Sequence, residues 1–355
     1  MATLRARGPR PPASDTPVQP PGVRMPQDPA ILIEGVTKRF GEKVAVDNLD
    51  LVVPTGSICG FLGPNGAGKT TTIRMVMSIF HPDQGNISVL GKSSAAESKR
   101  RIGYLPEERG VYRTMKVGEF LTFMGKLKGV PASGLSKKID DWLERVALPG
   151  VRKKRCEELS KGMQQKVQFL AAIIHDPELI ILDEPFSGLD PMNALLLRTL
   201  MDDLHAEGRT IIFSTHVLSS AEQVCDRIFM INKGRKVLDG PIDGILARFD
   251  PRTLTVEPLE TEDLDAFTES LTRLPSVERV NTLNRRSRAL ETHLAEGVDP
   301  SHAMREIVAT LPVRRVELRK ATIEDIFVNL VAPEDSEDVR ALVSEGAGQL
   351  EAADA

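Results

Sequence analysis

The chain has 355 residues, which is enough to bury a sizeable core in each of two domains. Its 46 basic and 50 acidic residues give a net charge of -4, and this disfavours nucleic acid as a partner because nucleic-acid-binding proteins usually carry a basic excess. The longest apolar runs, at 169–174 and 179–182, are far shorter than the roughly 20 residues that cross a bilayer. We therefore expect a folded protein that binds no nucleic acid and needs another chain to span any membrane at which it works.

The two ends of the chain and the cysteines indicate the cellular setting. Residues 1–29 hold eight prolines, four arginines and few apolar residues, which predicts a disordered arm without the apolar core of an export signal. Residues 334–355 hold seven acidic residues and one arginine, which predicts a disordered acidic tail. Cys59, Cys156 and Cys225 lack the spacing of a metal site and are odd in number, so we expect packed thiols in a reducing cytosol.

An α/β domain is predicted over residues 30–250. It begins with two alternating strands, at 30–40 and 44–53, which are joined by a glycine-containing turn and pair in an antiparallel manner. A short buried strand at 57–62 leads into a glycine-rich loop, and the helix after the loop has apolar residues at positions 73, 76, 77 and 80. Four more strands follow, and the middle ones lack alternation, as parallel strands covered on both faces do: RIGYLP, LIILD, TIIFST and RIFMIN.

A helical subdomain is predicted as an insert in this domain, at about 113–175. Its last helix, Lys161 to His175, presents an apolar face made by residues 163, 167, 170, 171 and 174. The next helix begins at DPMN, where Asp190 is placed as N-cap and Pro191 as the first helical residue. The sequence thus predicts a mixed sheet with an antiparallel edge subdomain and a helical insert.

A second domain is predicted over residues 251–333. Its strand and helix patterns follow the order β-α-β-β-α-β, which is typical of a ferredoxin-like α+β fold. The segment TIEDIFVNLV at 322–331 then predicts a helix that caps this domain. Because the domain contains no catalytic constellation, we expect a regulatory or dimerising accessory unit.

The segment GPNGAGKT at 63–70 matches the phosphate-binding pattern G-x-x-x-x-G-K-[ST] between a predicted strand and a predicted helix. Glycines let successive backbone N–H groups turn toward phosphate oxygens, and the helix that follows adds the positive end of its dipole. Lys69 is expected to reach the β and γ phosphates, and the Thr70 hydroxyl is expected to bind Mg²⁺. We expect a nucleoside triphosphate to contact the following residues: Gly63, Pro64, Asn65, Gly66, Ala67, Gly68, Lys69, Thr70 and Thr71.

Two carboxylates end the apolar strand LIILDEP. Such groups are costly to bury without a cation. Asp183 is therefore expected to hold Mg²⁺ through water, and Glu184 to polarise the water that attacks the terminal phosphate.

Five further elements resemble those of a known family, the nucleotide-binding subunits of ATP-binding-cassette (ABC) transporters, over residues 30–248. The segment ELSKGMQQK from Glu158 resembles the family signature, in which Ser160 and Gly162 contact the γ phosphate bound by the opposite subunit. SGLD at 187–190 resembles the D-loop, and STH at 214–216 resembles the switch, with His216 touching the γ phosphate. The remaining two are Phe40, which would stack on adenine, and the segment after GYLP, which resembles the Q-loop.

The chain departs from the usual family pattern at three positions. Lys161 and Met163 replace the third and fifth residues of the signature, and Glu107 stands where the Q-loop has glutamine. By resemblance we expect Glu107 to contact the nucleotide and Mg²⁺. Together with the terminal TIEDIFVNLV, the segments YLPEERGVY and LSKGMQQK resemble the branch of bacterial ABC exporters that act in sodium and drug efflux.

The resemblance implies a P-loop NTPase of ABC type with the accessory α+β domain appended. Its activity would be ATP hydrolysis with Mg²⁺, catalysed by Glu184, His216 and Lys69. Two copies would enclose two ATP molecules and drive a separate integral membrane permease. The chain would be cytoplasmic and peripheral on the inner face of the cell membrane, bound there through its permease.

Two alternatives compete with this interpretation. The first is a soluble ABC ATPase that remodels DNA or ribosomes, but such relatives usually carry two cassettes or long coiled coils, and this chain has one cassette and no heptads. The second is a small-molecule kinase or a GTPase. NKGR at 232–235 falls short of the guanine-reading pattern Asn-Lys-x-Asp, and a signature helix would have no purpose in such an enzyme.

Overall fold

The computed structural model describes residues 29–331, except for 94–97, 109, 249–251, 260–262 and 285–287. The predicted disordered arm, apart from its last residue, and the predicted acidic tail lie outside the described residues. The predicted boundary between the two domains, at 250/251, also falls outside them. We call the part before this boundary the large domain and the part after it the small domain.

The large domain contains nine strands and seven helices among its described residues. The strands are β1 (Ile31–Phe40), β2 (Lys43–Val53), β3 (Ile58–Leu62), β4 (Gln84–Val89), β5 (Ile102–Leu105), β6 (Leu179–Asp183), β7 (Thr210–Thr215), β8 (Arg227–Asn232) and β9 (Arg235–Pro241). The helices are α1 (Lys69–Val76), α2 (Val117–Leu127), α3 (Ala132–Arg145), α4 (Lys161–Ile173), α5 (Pro191–Ala206), α6 (Leu218–Glu222) and α7 (Ile242–Arg248). Across the described ranges, none of the helices has both the length and the apolar character to cross a membrane.

The predicted antiparallel edge is confirmed as a separate three-stranded sheet in the order β2-β1-β4. Strand β4 was not among the predicted strands. Its first three residues are exposed and its sequence, QGNISV, does not alternate. It is held by pairing with β1 rather than by an apolar face of its own, which is why its pattern carries little signal.

The central sheet has six strands in the order β5-β6-β7-β3-β8-β9, of which the first five run parallel and β9 runs antiparallel to β8. Every residue of β3, β6 and β7 is buried, as the unbroken apolar runs predicted. Leu62 pairs with Thr215, and Asp183 pairs with Ser214. The carboxyl ends of β3, β6 and β7 therefore meet at one edge of the sheet.

Helix α4 is buried more completely than its apolar face predicted. It packs against β5 on one side and against α2 on the other. Gln165, Lys166 and Gln168 are consequently buried beside the apolar residues. The aliphatic parts of long polar side chains can pack against apolar neighbours while their polar ends extend beyond them. The spacing of apolar residues along α4 therefore predicts fewer buried residues than the structure has.

Two helix boundaries refine the predictions. Helix α1 ends at Val76, so Phe80 lies beyond the helix rather than on its apolar face. Helix α5 begins as expected, because Asp190 accepts a hydrogen bond from the Asn193 backbone N–H at 2.9 Å and Pro191 is the first helical residue.

All three cysteines are buried as free thiols, so the prediction of packed thiols is confirmed. Burial raises the pKa of the Cys59 thiol to about 12. It also raises the pKa of Cys225 well above its usual value, which leaves both thiols uncharged and unreactive.

The small domain has the predicted β-α-β-β-α-β order. Its elements are β10 (Thr253–Pro258), α8 (Leu264–Thr272), β11 (Val277–Asn284), β12 (Ala289–Leu294), α9 (Pro300–Thr310) and β13 (Val313–Arg319). The four strands form an antiparallel sheet in the order β11-β12-β10-β13, which confirms the ferredoxin-like topology. A separate core, which includes Leu254, Leu271, Leu290 and Ile307, lies between this sheet and its two helices.

The last described helix, α10 (Ile323–Val331), corrects one prediction. It was expected to cap the small domain, but Ile323, Ile326 and Phe327 are buried in the core of the large domain. There α10 packs against α6, and the Ile323 backbone N–H donates to a carboxylate oxygen of Glu222 at 3.3 Å. An amphipathic pattern predicts that a helix buries one face, but it does not say against which core.

We predict that Ile326→Ala destabilises the large domain by about 2–5 kcal/mol, the usual cost of truncating a buried aliphatic side chain. Trp142 is the only tryptophan of the chain and belongs to the same buried cluster as Ile326, so its fluorescence reports unfolding of that cluster. The matched control is Val308→Ala, at a position of α9 that is 59% exposed. An unchanged midpoint of the Trp142 transition in Ile326→Ala would show that α10 adds nothing to this core.

Candidate active site

The candidate site lies where the carboxyl ends of β3, β6 and β7 meet. The loop 63–68 follows β3, Asp183 is the last residue of β6, with Glu184 next to it, and His216 follows β7. Three segments that are far apart in sequence are thus brought together by the pairing of three parallel strands. This edge of a parallel sheet is where ligands bind in open α/β folds.

The loop 63–68 requires glycine at two positions. Gly63 has φ 149° and Gly68 has φ 111°, backbone angles that other residues rarely adopt. A Cβ added at Gly63 would lie 2.2 Å from the Ile231 carbonyl oxygen, and one added at Gly68 would lie 2.7 Å from the Ala45 carbonyl oxygen. The loop therefore curls tightly against two neighbouring strands before α1 begins.

The side chain of Lys69 lies inside this loop. Its Nζ donates hydrogen bonds to the carbonyl oxygens of Gly63, at 2.6 Å, and Pro64, at 3.1 Å, and lies 3.9 Å from Glu184 Oε1. Burial lowers the pKa of Lys69, and the negative charges of Glu184 and Asp183 act in the opposite direction. The loop thus holds a desolvated cation, which is the charge that phosphate oxygens require.

The carboxylate of Asp183 is buried, and only one of its two oxygens accepts hydrogen bonds from the described residues. Its Oδ1 accepts hydrogen bonds from Thr70 Oγ1, at 3.4 Å, and from Ser214 Oγ. Its Oδ2 is buried without a hydrogen-bond partner in the described part of the chain. Burial raises the pKa of Asp183, and the hydrogen bond from Ser214 lowers it.

These residues fit a magnesium ion. Mg²⁺ takes oxygen ligands and is usually bound by one or two carboxylates together with substrate phosphates and water. The unpartnered Asp183 Oδ2 and the adjacent Thr70 hydroxyl supply such oxygens. Within the described ranges no cluster of three or more His, Cys, Asp or Glu is placed to hold a metal ion.

Glu184 and His216 are in direct contact. His216 Nδ1 lies 2.9 Å from Glu184 Oε1. The backbone of Glu184 has φ 50°, a left-handed conformation that is uncommon for a residue other than glycine. Its N–H donates to the Ser214 carbonyl oxygen at 3.2 Å, so the strained residue is anchored to β7. Backbone strain of this kind clusters at functional sites.

Glu107 lies close enough to act on this site through its charge. It follows β5 and is exposed. Burial is the main cause of the raised pKa of Asp183 and of the lowered pKa of Lys69, and the negative charge of Glu107 adds to the first shift and opposes the second. The structure therefore places Glu107 in the electrostatic field of the predicted phosphate and metal residues.

Over the ranges that the structure describes, the contacts of Ser160, Gly162 and Phe40 are with residues outside this cluster. Ser160 is the exposed N-cap of α4 and accepts a hydrogen bond from the Met163 backbone N–H at 3.3 Å. Gly162 faces the segment after β6, since a Cβ added there would lie 3.5 Å from the Leu189 side chain. Phe40 lies at the turn between β1 and β2, where it is 45% exposed and contacts Phe80 edge to face at 5.5 Å.

Two residues that hold the site together were not singled out from the sequence as site residues. Ser214 binds Asp183, and Gln165 Nε2 donates to the Pro185 carbonyl oxygen at 3.1 Å, next to Glu184. The available signal was a serine near the end of the apolar strand β7 and a glutamine on an apolar helix. Neither residue can be assigned to the site from the sequence alone, because the assignment depends on the pairing of β6 with β7 and on the position of α4.

Two protein-family models match this chain, and one of them includes the residues of the candidate site. A sequence-family model described as ABC transporter matches residues 46–187, and a second, described as the C-terminal domain of ATP-binding proteins like DrrA1-3, matches residues 240–331. The first match includes the phosphate loop and both carboxylates. The second covers the small domain and α10.

Among known relatives, an uncharacterised ABC transporter ATP-binding protein of Bacillus subtilis, YhaQ, is 37% identical over 85% of this chain and 98% of its own length. The Nod factor export ATP-binding protein I of Ralstonia nicotianae is 32% identical over 89% of this chain and 98% of its own length. Among solved structures, the ATP-binding subunit of an ABC transporter covers 62% of this chain and 93% of its own, with a TM-score of 0.58 and 29% identity. The chain therefore belongs to the family of ABC transporter ATP-binding proteins, and it is an ATP-hydrolysing subunit of a transporter.

Proposed function

We propose that two copies of this chain enclose two ATP molecules with Mg²⁺, and that the resulting cycle of closure and hydrolysis drives export through a separate integral membrane permease. The observation that carries the proposal is the division of the site. Lys69, Asp183 and Glu184 form a compact cluster within one chain, whereas Ser160 is exposed at the start of a helix outside that cluster. A second copy can bring the missing helix to the first.

Within one copy, we assign the phosphates of ATP to the loop. The backbone N–H groups of residues 63–71 and the ammonium of Lys69 bind the phosphate oxygens, and Phe40 stacks on the adenine. Thr70 and Asp183 hold Mg²⁺, with Glu107 as an additional carboxylate. The metal ion, when bound there, supplies positive charge that neutralises the phosphate oxygens.

We assign hydrolysis to Glu184 and His216. The Glu184 carboxylate orients and polarises the attacking water, and His216, which touches Glu184 Oε1 at 2.9 Å, holds that carboxylate and reaches the γ phosphate. The left-handed backbone at Glu184 supports this assignment, because such strain persists where it serves a site.

The surface beside the site supports a second copy as partner. Ser160 and Gly162 open α4, whose N-terminus favours an anion such as the γ phosphate of the other copy. At the start of α5, Met192 is 75% exposed and Leu195 is 57% exposed, three residues apart on one side of the helix. Large apolar side chains exposed together are typical of a surface that another protein covers.

A transporter setting also supports a permease as partner. The described residues include no helix able to cross a membrane. In our proposal a separate permease supplies the path for the transported substrate. A relative carries export in its name, and the small domain resembles that of DrrA-like proteins. We therefore place the chain on the cytoplasmic face of the membrane, held there by its permease, with sodium or a drug as the exported substrate.

We predict that Lys69→Ala lowers ATP hydrolysis by about 100-fold or more, because it removes a fixed charge at the transferred phosphate. Lys128→Ala is the matched control. Lys128 is also partly buried, with a lowered pKa, and its Nζ donates to the carbonyl oxygens of Lys99 and Ile102. Steady-state hydrolysis and nucleotide affinity should fall only in Lys69→Ala, and unchanged turnover in that variant would refute the role of the loop lysine.

A shared site predicts complementation between two inactive variants. Ser160→Arg and Lys69→Ala should each be inactive alone, and an equimolar mixture should recover about a quarter of the wild-type ATPase rate if copies pair at random and sites act independently. The control mixes Ser160→Arg with the double variant Lys69→Ala/Ser160→Arg, which leaves no intact composite site. Equal activity in the two mixtures would mean that Ser160 does not act across the interface.

The permease partner can be tested by co-expression. A neighbouring reading frame that encodes about six spans of roughly 20 apolar residues is the candidate partner. With that product present, the chain should sediment with membranes and copurify with it in a fixed ratio, and without it the chain should stay in the supernatant. Sedimentation that does not depend on the co-expressed protein would contradict attachment through a permease.

A further inference from the structure

Arg198, on the second turn of α5, contacts two segments that leave the active site in different directions. Its guanidinium lies 5.4 Å above the ring of Phe186, which follows Glu184 by two residues. The same group donates hydrogen bonds to Ser220 Oγ, at 3.2 Å, and to Gln223 Oε1, both of which follow His216 on or just after α6. One side chain thus joins the segment after Glu184 to the segment after His216.

Each of the two segments needs such support. Helix α6 has five residues, too few for a helix that is stable by itself. It is tied to His216 by a turn in which the Ser220 N–H donates to the Val217 carbonyl oxygen at 3.2 Å. A displacement of α6 would therefore move Val217 and, with it, His216.

The segment after Glu184 is anchored through Phe186. The ring of Phe186 packs edge to face on Phe213 of β7 at 5.7 Å, and the guanidinium of Arg198 also lies over this ring. Ser187, Gly188 and Asp190, which follow it, are all exposed. The aromatic contacts of Phe186 thus attach this segment to β7 and to α5 close to Glu184, in addition to the hydrogen bond from Gln165 to the Pro185 carbonyl oxygen.

The chemistry of the contact is specific to arginine. A planar guanidinium stacks on an aromatic ring with its face and donates to several acceptors along its edge, which a lysine ammonium does not do. Arg198 also keeps a buried Nε without a hydrogen-bond partner in the described part of the chain. An unsatisfied buried donor is unfavourable, so this arginine carries a cost in stability.

We propose that Arg198 is a positioning residue that fixes the relative placement of Glu184 and His216. It touches neither ATP nor the reacting atoms. It clamps Phe186 and α6 together so that the 2.9 Å contact between His216 and Glu184 is preformed before hydrolysis. The inference rests on the proposed roles of Glu184 and His216.

The test compares Arg198→Met and Arg198→Lys with the same two substitutions at Arg145. Arg145 is a matched control because its guanidinium also stacks on an aromatic ring, Trp142 at 4.2 Å, and also bonds a second element, through Asp203 of α5. In Arg198→Met we expect kcat to fall about 10- to 100-fold, since small misplacements of catalytic groups have effects of this size. KM, the dissociation constant of ATP and the melting temperature should match those of Arg145→Met, and Arg198→Lys should lie between Arg198→Met and the wild type.

A second variant removes one partner and leaves Arg198 in place. Gln223 is exposed, so Gln223→Ala is not expected to disturb folding. It should lower kcat by a smaller factor, and that factor should disappear in the Arg198→Met background, because both changes break the same contact. Additive effects would mean that Arg198 does not act through α6.

Glu184→Gln, measured in parallel, separates this inference from the proposed function. If Glu184→Gln leaves hydrolysis intact, the proposed role of Glu184 fails. If Glu184→Gln abolishes hydrolysis but Arg198→Met changes kcat no more than Arg145→Met does, the positioning role alone is overturned. A fall in kcat that is matched by equal losses of ATP affinity and melting temperature would likewise assign Arg198 a purely structural role.

Discussion

A buried lysine that faces two buried carboxylates is the interaction on which the rest of this structure depends. Lys69, Asp183 and Glu184 sit at the meeting point of three strand ends, and none of the three charges is solvated by water as it would be at the surface. Such an arrangement is unfavourable unless other charges complete it. The phosphates of ATP and the Mg²⁺ ion that we propose to bind here have the charge and size to complete it.

The same constraint bears on the proposal that two copies share the site. Everything that one chain gathers at the sheet edge comes from strand ends and the loops directly after them. Helix α4 starts after the exposed Ser160 and packs against β5 and α2. In the proposed dimer, the second copy brings this helix N-terminus to the loop of the first, so closure of the dimer depends on bound nucleotide.

Much of this arrangement could be predicted from the sequence. The loop, the two carboxylates and the strand and helix types are local patterns, whose spacing is set by backbone geometry and by phosphate chemistry. What the sequence did not show depends on register and packing. The hydrogen bond from Ser214 to Asp183 exists because β6 and β7 pair at those residues. Strand β4 has no apolar face from which it could be predicted. The amphipathic pattern of α10 predicts a helix with one buried face, but it does not indicate which core that face packs against.

The position of α10 has a consequence for how the chain folds during synthesis. The buried cluster that supports α6 includes Ile323, Ile326 and Phe327, which the ribosome delivers only after the whole ferredoxin-like sheet has been made. Domains usually fold as units in order of their synthesis, but here the first unit lacks part of its interior until the second has emerged. A nascent or prematurely terminated chain that ends before α10 therefore leaves uncovered the apolar side chains that α10 packs against, and such surfaces are recognised by chaperones and proteases.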